Sequence, residues 1–139
     1  MKTRRKLVLT VVLLLISAYM IQAAAISLRL RSIVQSSFDN FGEANPYADS
    51  VSDELYAKMC FRNGYLISAK DSPGAKDRSF VFGPIAWHWF VGGRAVYWYS
   101  YEIYGEDGAV VGGSLHVPVT VDYTLTGGKM HITSYYEPP

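Results

Sequence analysis

Cysteine and charged side chains are scarce in this sequence. Cys60 is the only cysteine among 139 residues, so the chain can form neither an internal disulfide nor a multi-cysteine metal site. It falls in a helical pattern beside Met59 and Phe61, which predicts a small, buried, apolar side chain. Charged residues make up 18% of the chain and hydrophobic residues 50%, so we expect a packed core rather than global disorder. The length allows one domain and a targeting segment.

Motifs that identify enzymes and cofactor sites are also missing. The sequence contains no glycine-rich phosphate loop, no zinc-ligand spacing and no nucleophile elbow. We therefore predict neither a metal nor a cofactor. Whether the protein is an enzyme stays open at this point, with a preference for a non-catalytic role.

Basic and acidic residues are unevenly distributed along the chain. Four of the 13 basic residues stand at positions 2–6, before a long apolar run, and none of the 12 acidic residues does. The rest of the chain therefore has nine basic and 12 acidic residues, a net charge of −3. Because nucleic-acid binders gain much of their affinity by neutralising phosphates, we predict that this mildly acidic domain does not bind nucleic acid.

The amino-terminal segment has the pattern of an export signal. Residues 2–6, KTRRK, are followed at 7–26 by LVLTVVLLLISAYMIQAAAI, which has about the length that crosses a bilayer. Two interpretations are open: an uncleaved signal anchor, which we prefer, or a signal peptide cleaved near Ala25. Two observations disfavour cleavage: Arg29 and Arg31 would follow the cut closely, and the run continues in a helical pattern as AISLRLRSIVQSSF.

Both interpretations place the amino terminus in the cytoplasm, because basic residues stay on that side of the membrane. Both therefore export the remainder of the chain. We predict a leader at residues 1–26 and a single extracytoplasmic α+β domain at residues 27–139. The anchored form would be a single-pass protein of the cell membrane, with residues 7–26 in the lipid, and the cleaved form would be secreted.

Two amphipathic helices are predicted at the start of the domain. The first covers residues 27–41 and ends near Gly42. The second begins at Asn45-Pro46, or at a cap formed by Ser50 or Ser52, and ends at Asn63-Gly64. The expected apolar stripes contain Leu28, Leu30 or Arg31, Ile33, Val34, Ser37, Phe38 and Phe41 in the first helix, and Val51, Leu55, Tyr56 and Met59 in the second.

The sequence after the helices predicts strands. A short strand is expected at Tyr65–Ala69, then an exposed loop over Lys70–Arg78. Residues 79–91 suggest two short strands that meet at Gly83-Pro84, since proline cannot pair within a central strand. An antiparallel meander follows from Arg94 to Tyr136, and it brings the predicted curved sheet to four or five strands.

Two glycine-bearing turns set the expected register of the meander. The first hairpin turns at Glu106-Asp107-Gly108. A two-residue turn at Gly127-Gly128 would pair Leu125 with Met130 and Tyr123 with Ile132. In the middle strand, alternation predicts one core face, made of Leu115, Val117, Val119, Val121, Tyr123 and Leu125. A bulge at Gly112-Gly113 would turn Tyr97, Tyr99, Tyr101 and Ile103 inward and keep Ser100 and Glu102 outward.

The end of the chain carries a resemblance. A strand, a TGGK turn and the segment MHITSYY close the sequence, and this resembles the last hairpin of many small exported nuclear transport factor 2-like domains. Two helices before a long antiparallel meander are similar to both nuclear transport factor 2-like and cystatin-like folds. The resemblance covers the last third of the chain. It implies a cone capped by helices, with room for a pocket, and implies no particular activity.

Few polar residues are placed to do chemistry. His116, Asp122 and His131 project from one face of the last two predicted strands, and an Asp near a His could act as acid and base. Asp122 is expected opposite Thr133. This face is opposite to the predicted core, so solvated side chains without a catalytic role are the more ordinary expectation. Glu102 is a weak candidate for an acid in a pocket.

Aromatic residues are candidates for binding. Trp87 and Trp89 share a face and, with Trp98, could form a platform for a sugar ring, a peptide or a membrane interface, although a place in the core is the more ordinary expectation. His88 between them is expected to point outward. Two alternatives are also open for Tyr97, Tyr99 and Tyr101. They could line a binding pocket or pack in the core, and packing is preferred.

The absence of a catalytic motif and the many aromatics favour a membrane-tethered, non-catalytic domain that contacts another envelope protein or a ligand through its sheet. The alternative is a small enzyme or ligand carrier of nuclear transport factor 2-like type, with a pocket within the curved sheet. It would use Glu102 or the His131/Asp122 pair. A structural subunit of a larger membrane complex is a third hypothesis.

Overall fold

The computed structural model describes residues 2–60, 74, 76–89 and 91–139. The predicted strand at Tyr65–Ala69 and the predicted helix end at Asn63-Gly64 lie outside the described residues. Six elements follow one another along the described chain: α1 (Lys2–Asp39), α2 (Asp53–Lys58), β1 (Lys76–Trp89), β2 (Gly92–Tyr104), β3 (Val110–Thr126) and β4 (Lys129–Tyr136).

The four described strands form one antiparallel sheet in the order β1-β2-β3-β4. Each strand therefore pairs with its neighbour in the chain, and the predicted α+β class and meander are confirmed. Helix α1 lies along β1, and its buried side chains join those of β2 and β3 in one core. We call the side of the sheet that α1 covers the helix face, and the opposite side the outer face.

A single long helix replaces the predicted leader and the first amphipathic helix. No glycine or proline interrupts the sequence of α1, which has 38 residues and a length of about 57 Å. Helix α2 has six residues and begins directly after Ser52, which caps it: the Ser52 hydroxyl accepts the Leu55 N–H at 3.3 Å. The prediction of two amphipathic helices is therefore wrong. Cys60, just after α2, is buried as predicted.

The two halves of α1 have different surroundings. The apolar side chains of the first half are exposed. By length and composition, α1 is the one helix among those described that could cross a membrane. The second half packs against the sheet. Leu28, predicted to be in the stripe, is exposed, because the buried side chains follow another line along the helix: Ile26, Leu30, Ile33, Val34, Ser37 and Phe38.

The register between β3 and β4 confirms the predicted turn. Leu125 lies opposite Met130 and Tyr123 opposite Ile132. A bulge then shifts the pairing. Asp122 faces Ser134, whereas Thr133 was the predicted partner. This shift reverses the alternation of β4 beyond the bulge.

The pairing of β2 with β3 shifts at two places, and one of them lies beside the predicted bulge at Gly112-Gly113. Ile103 faces Gly112 and Tyr104 faces Val110, so Val111 is an extra residue next to Gly112. A second bulge was not predicted. Tyr99 faces Val117 and Tyr101 faces Ser114, so the extra residue is near His116, which has a φ of 56°. The His116 N–H donates to the Ser100 hydroxyl at 2.9 Å, which holds this bend. As predicted, Tyr97, Tyr99, Tyr101 and Ile103 are buried on the helix face. Two side chains differ: Leu115, predicted in the core, is exposed, and Ser100, predicted outward, is buried.

Strand β1 is continuous where two short strands were predicted. A bulge between Phe82 and Ile85 accommodates Gly83-Pro84, and Gly83 has a φ of 61°. Proline is tolerated at a bulge of an edge strand, since its missing N–H breaks no central pairing. The predicted loop at Lys70–Arg78 is also too long, because β1 already begins at Lys76.

The buried stripe of α1 can be tested with two substitutions in the full chain in detergent. Ile33→Ala removes a fully buried side chain and should lower the free energy of unfolding by about 2–5 kcal/mol. Leu28→Ala, the matched control on the exposed side, should leave it nearly unchanged. Thermal unfolding followed by near-ultraviolet circular dichroism measures both. Equal losses would contradict the packing of α1 described above.

Candidate interaction surface

The tyrosine row that could have lined a pocket is core. Tyr97, Tyr99 and Tyr101 are almost completely buried and pack in one cluster with the side chains of α1. The Tyr101 ring lies 6.2 Å, between centroids, from that of Phe38 on α1. These three side chains are therefore part of the core, and none of their rings is exposed to a ligand.

A polar cluster at the end of this row was missed by sequence reasoning. Tyr99 donates to one carboxylate oxygen of Glu137 at 2.8 Å, and Tyr135 donates to the other at 2.6 Å. Burial, followed by the charge of Glu137, holds the pKa of Tyr97 well above its usual range. Burial likewise raises the pKa of Tyr135. The cluster holds the carboxyl-terminal segment against β2, and Tyr97 and Tyr135 stay protonated at any physiological pH.

The candidate acid Asp122 is bound to other side chains. Both oxygens of Asp122 accept from Arg94, at 2.7 and 3.2 Å, and Ser134 donates to one of them at 3.0 Å. Arg94, through hydrogen bonds and charge, lowers the pKa of Asp122, so it is a stable carboxylate near pH 7. His131 lies one row further along the sheet, opposite Thr124. Asp122 is therefore bound in a surface ion pair with Arg94.

The other two candidates are also held locally. Glu102 accepts a hydrogen bond from Tyr104, two residues along the same strand, and this bond raises the pKa of Tyr104. The His116 ring meets the Phe82 ring edge-on at 5.3 Å between centroids. Neither arrangement brings an acid and a base together across a shared space.

The outer face of β1 and β2 carries an apolar patch that the core does not use. The rings of Phe82 and Trp98, which face each other across the two strands, stack at 6.1 Å between centroids. The Arg78 guanidinium lies 5.2 Å from the ring centre of Phe80. We call this patch the outer stripe, and it consists of Phe80, Phe82, Ile85, Trp87 and Trp98.

The outer stripe is exposed because its members alternate with core residues on an edge strand. Val81 and Ala86 of β1 are buried on the helix face, whereas Phe80, Ile85 and Trp87 are 52%, 48% and 65% exposed. Edge position leaves β1 with a described neighbour on one side only. Trp98 is half-buried, and the glycine at position 83 leaves the space beside its ring, since a Cβ there would come within 3.1 Å.

The residues from Trp87 to Trp89 differ from their predicted placement. Trp87 and Trp89 share a face as predicted, but they are exposed rather than in the core. His88, expected to point outward, is buried beneath α1, where its ring stacks on Tyr19 at 4.2 Å between centroids. Neither ring nitrogen of His88 has a hydrogen-bond partner among the described residues. The stacking therefore joins the apolar half of α1 to the sheet.

The chain matches no protein-family model, no curated protein and no solved structure. The described residues contain no group of three or more histidine, cysteine or carboxylate side chains able to hold a metal ion. The outer stripe is a patch of exposed aromatic and aliphatic side chains of the kind that often marks an interaction site.

The polar cluster can be tested by removing its acceptor. Glu137→Ala leaves the hydroxyls of Tyr99 and Tyr135 without their acceptor, which should cost about 1–3 kcal/mol of unfolding free energy. Denaturant unfolding of the full chain in detergent measures this loss. Glu106→Ala removes an exposed carboxylate from the β2–β3 turn and should have little effect. If both substitutions cost the same, Glu137 does not hold the terminus.

Proposed function

We propose that the protein is a membrane-anchored, non-catalytic domain that binds another protein of the cell envelope through the outer stripe. The observation that carries this proposal is an aromatic patch left exposed by a domain whose helix face is a filled core. Aromatic side chains at the centre of a surface patch are typical of protein–protein contacts. The ion pair of Arg94 and Asp122, beside Trp87 in the sheet, would supply a polar rim.

Retention of the leader is part of this proposal. Cleavage near Ala25 would remove Tyr19, whose ring covers His88. It would also place a new terminus directly before Ile26, a core side chain. The basic residues at 2–6 favour a cytoplasmic amino terminus, and the domain then lies outside the membrane. These contacts support a permanent anchor over a removable signal.

The alternative, a small enzyme or ligand carrier, has less support. Its candidate residues, Glu102 and Asp122, bind Tyr104 and Arg94 instead of facing a shared cavity. The similarity to nuclear transport factor 2-like and cystatin-like domains stays a proposal. It is supported by one long helix lying on an antiparallel meander. In this protein, however, the helix and the tyrosines fill the side of the sheet where such a domain could hold a pocket.

Photo-crosslinking in intact cells tests the proposed interaction. A benzophenone amino acid is placed at Phe80 or Ile85 in the outer stripe. The matched control position is Tyr136, an exposed aromatic side chain on the opposite edge strand β4. We expect a discrete adduct of another protein from the two stripe positions and none from Tyr136. The same adducts at all three positions, no adduct at the stripe, or an adduct with a second copy of this chain would each contradict the proposal.

A further inference from the structure

The membrane-spanning stretch of α1 and its domain-contacting stretch overlap. Leu15, Tyr19 and Gln22 line an apolar groove whose other wall is formed by His88 and Trp89, at the end of β1. These three helix residues lie well inside the apolar run at 7–26. The end of the sheet where β1 turns into β2 is therefore beside a part of the helix that is expected to lie in lipid.

The length of the helix fixes the extent of this overlap. Lys6 is the last charge before the apolar run, and the next charged residue is Arg29. Leu15 is about 12 Å along the helix from Leu7, whereas the hydrocarbon core of a bilayer is about 30 Å thick. A bilayer that begins at Leu7 therefore extends past Leu15 and Tyr19, to about Ile26. The end of β1 then reaches below the outer surface of the hydrocarbon.

The turn at this end of the sheet has the composition that such a position requires. Trp89 and Val91 are 80% and 75% exposed, which nothing in the fold explains. Residues 79–93 contain no charged side chain. The Val91 carbonyl accepts the Leu125 N–H at 2.8 Å, and Trp89 pairs with Gly92, so these backbone groups are not left open to lipid. Tryptophan is enriched where protein crosses the membrane interface.

The neighbouring turn, between β3 and β4, is polar. It lies beside a part of α1 that is closer to the carboxyl-terminal end of the apolar run. Gly128 and Lys129 share a groove with Gln22 and Ile26, closer to the outer end of the apolar run. The Lys129 ammonium lies 3.9 Å from an Asp49 carboxylate oxygen. Lysine at this level is suited to the head-group region, where its charge stays in water. The apolar turn is thus the deep one and the charged turn the shallow one.

We propose that Trp89 and Val91, the β1–β2 tip, insert into the outer leaflet of the bilayer, so that lipid covers these two side chains. The proposal rests on the membrane anchor of the proposed function. A helix and a tip held in the same leaflet restrain the domain at two points. They fix its orientation. Ile85 and Trp87, which share a groove with Ala23, Ala24 and Ser27 of α1, then lie at the outer boundary of the hydrocarbon, and the part of the outer stripe towards Phe80 lies further from the membrane.

Fluorescence quenching of the full chain in vesicles tests the insertion. The environment-sensitive dye NBD is attached to a cysteine introduced by Val91→Cys, in a Cys60→Ala background, in vesicles of phosphatidylethanolamine and phosphatidylglycerol. We expect loss of NBD emission when the vesicles contain lipids doxyl-labelled on the acyl chain, and protection from aqueous iodide. Ala109→Cys, in the exposed turn at the other end of the sheet, should show the reverse.

Three outcomes would overturn or redirect the inference. Quenching at position 91 by iodide but not by doxyl lipid places the tip in water and overturns it. Protection from both quenchers means that protein covers the tip, which also overturns it. A third label at Val12→Cys, in the anchor, separates the two proposals: if position 12 is not quenched by doxyl lipid, the anchor itself is wrong.

A second measurement avoids the dye, in case the label disturbs the turn. The intrinsic tryptophan emission of the unlabelled chain should be quenched by doxyl lipids. Trp89→Phe keeps an aromatic ring at the tip but removes this fluorophore, and the lipid-dependent part of the quenching should fall markedly. Unchanged lipid quenching in that variant would contradict insertion of Trp89.

Discussion

The packing of α1 on the sheet is the contact on which the rest of the structure depends. Its buried stripe, from Ile26 to Phe38, covers the helix face and closes over Tyr97, Tyr99 and Tyr101. Since the chain has one cysteine and cannot form an internal disulfide, this core must hold the domain together. The same helix continues without a break into the apolar run. In the proposed anchored form, folding of the domain and attachment to the membrane are linked through this one element.

This link determines which surface is left for function. The helix face is filled by α1 and the tyrosines, and the proposed function therefore assigns recognition to the outer face. On the outer face, apolar side chains are exposed along β1, and the ion pair of Arg94 and Asp122 lies further across the sheet. If the anchor and the β1–β2 tip are both in lipid, a partner must approach sideways, in the plane of the membrane. Such a geometry suits another envelope protein better than a freely diffusing one.

Much of the architecture followed from the sequence. The alternation in β3 and the Gly127-Gly128 turn predicted the β3–β4 register, because a side-chain period of two and a two-residue turn leave little choice. The helical pattern beyond residue 26 also followed from the sequence, since nothing in it breaks a helix. The division into a leader and a separate amphipathic helix was wrong, because export segments are expected to end where a domain starts. The bulges near His116 and Thr133 were not predicted for another reason. Neither contains glycine, so no local sequence signal marks them.

The missed bulges had consequences for the candidate sites. Without the shift beyond Asp122, Tyr135 would face outward, and its hydrogen bond to Glu137 could not be anticipated. The exposure of Trp87 and Trp89 could not be predicted either. Large aromatics are ordinarily buried, and only the edge position of β1 and the helix above His88 show which side of the strand is covered.

The most direct test of this account is the intact mass of the mature chain isolated from cell membranes. If α1 is at once anchor and core helix, the membrane fraction should contain a chain of about the full 15.5 kDa, with residues 7–26 present. It should resist extraction by high salt and be released by detergent. A shorter chain that begins after Ala25 and is recovered in the soluble fraction would contradict the account.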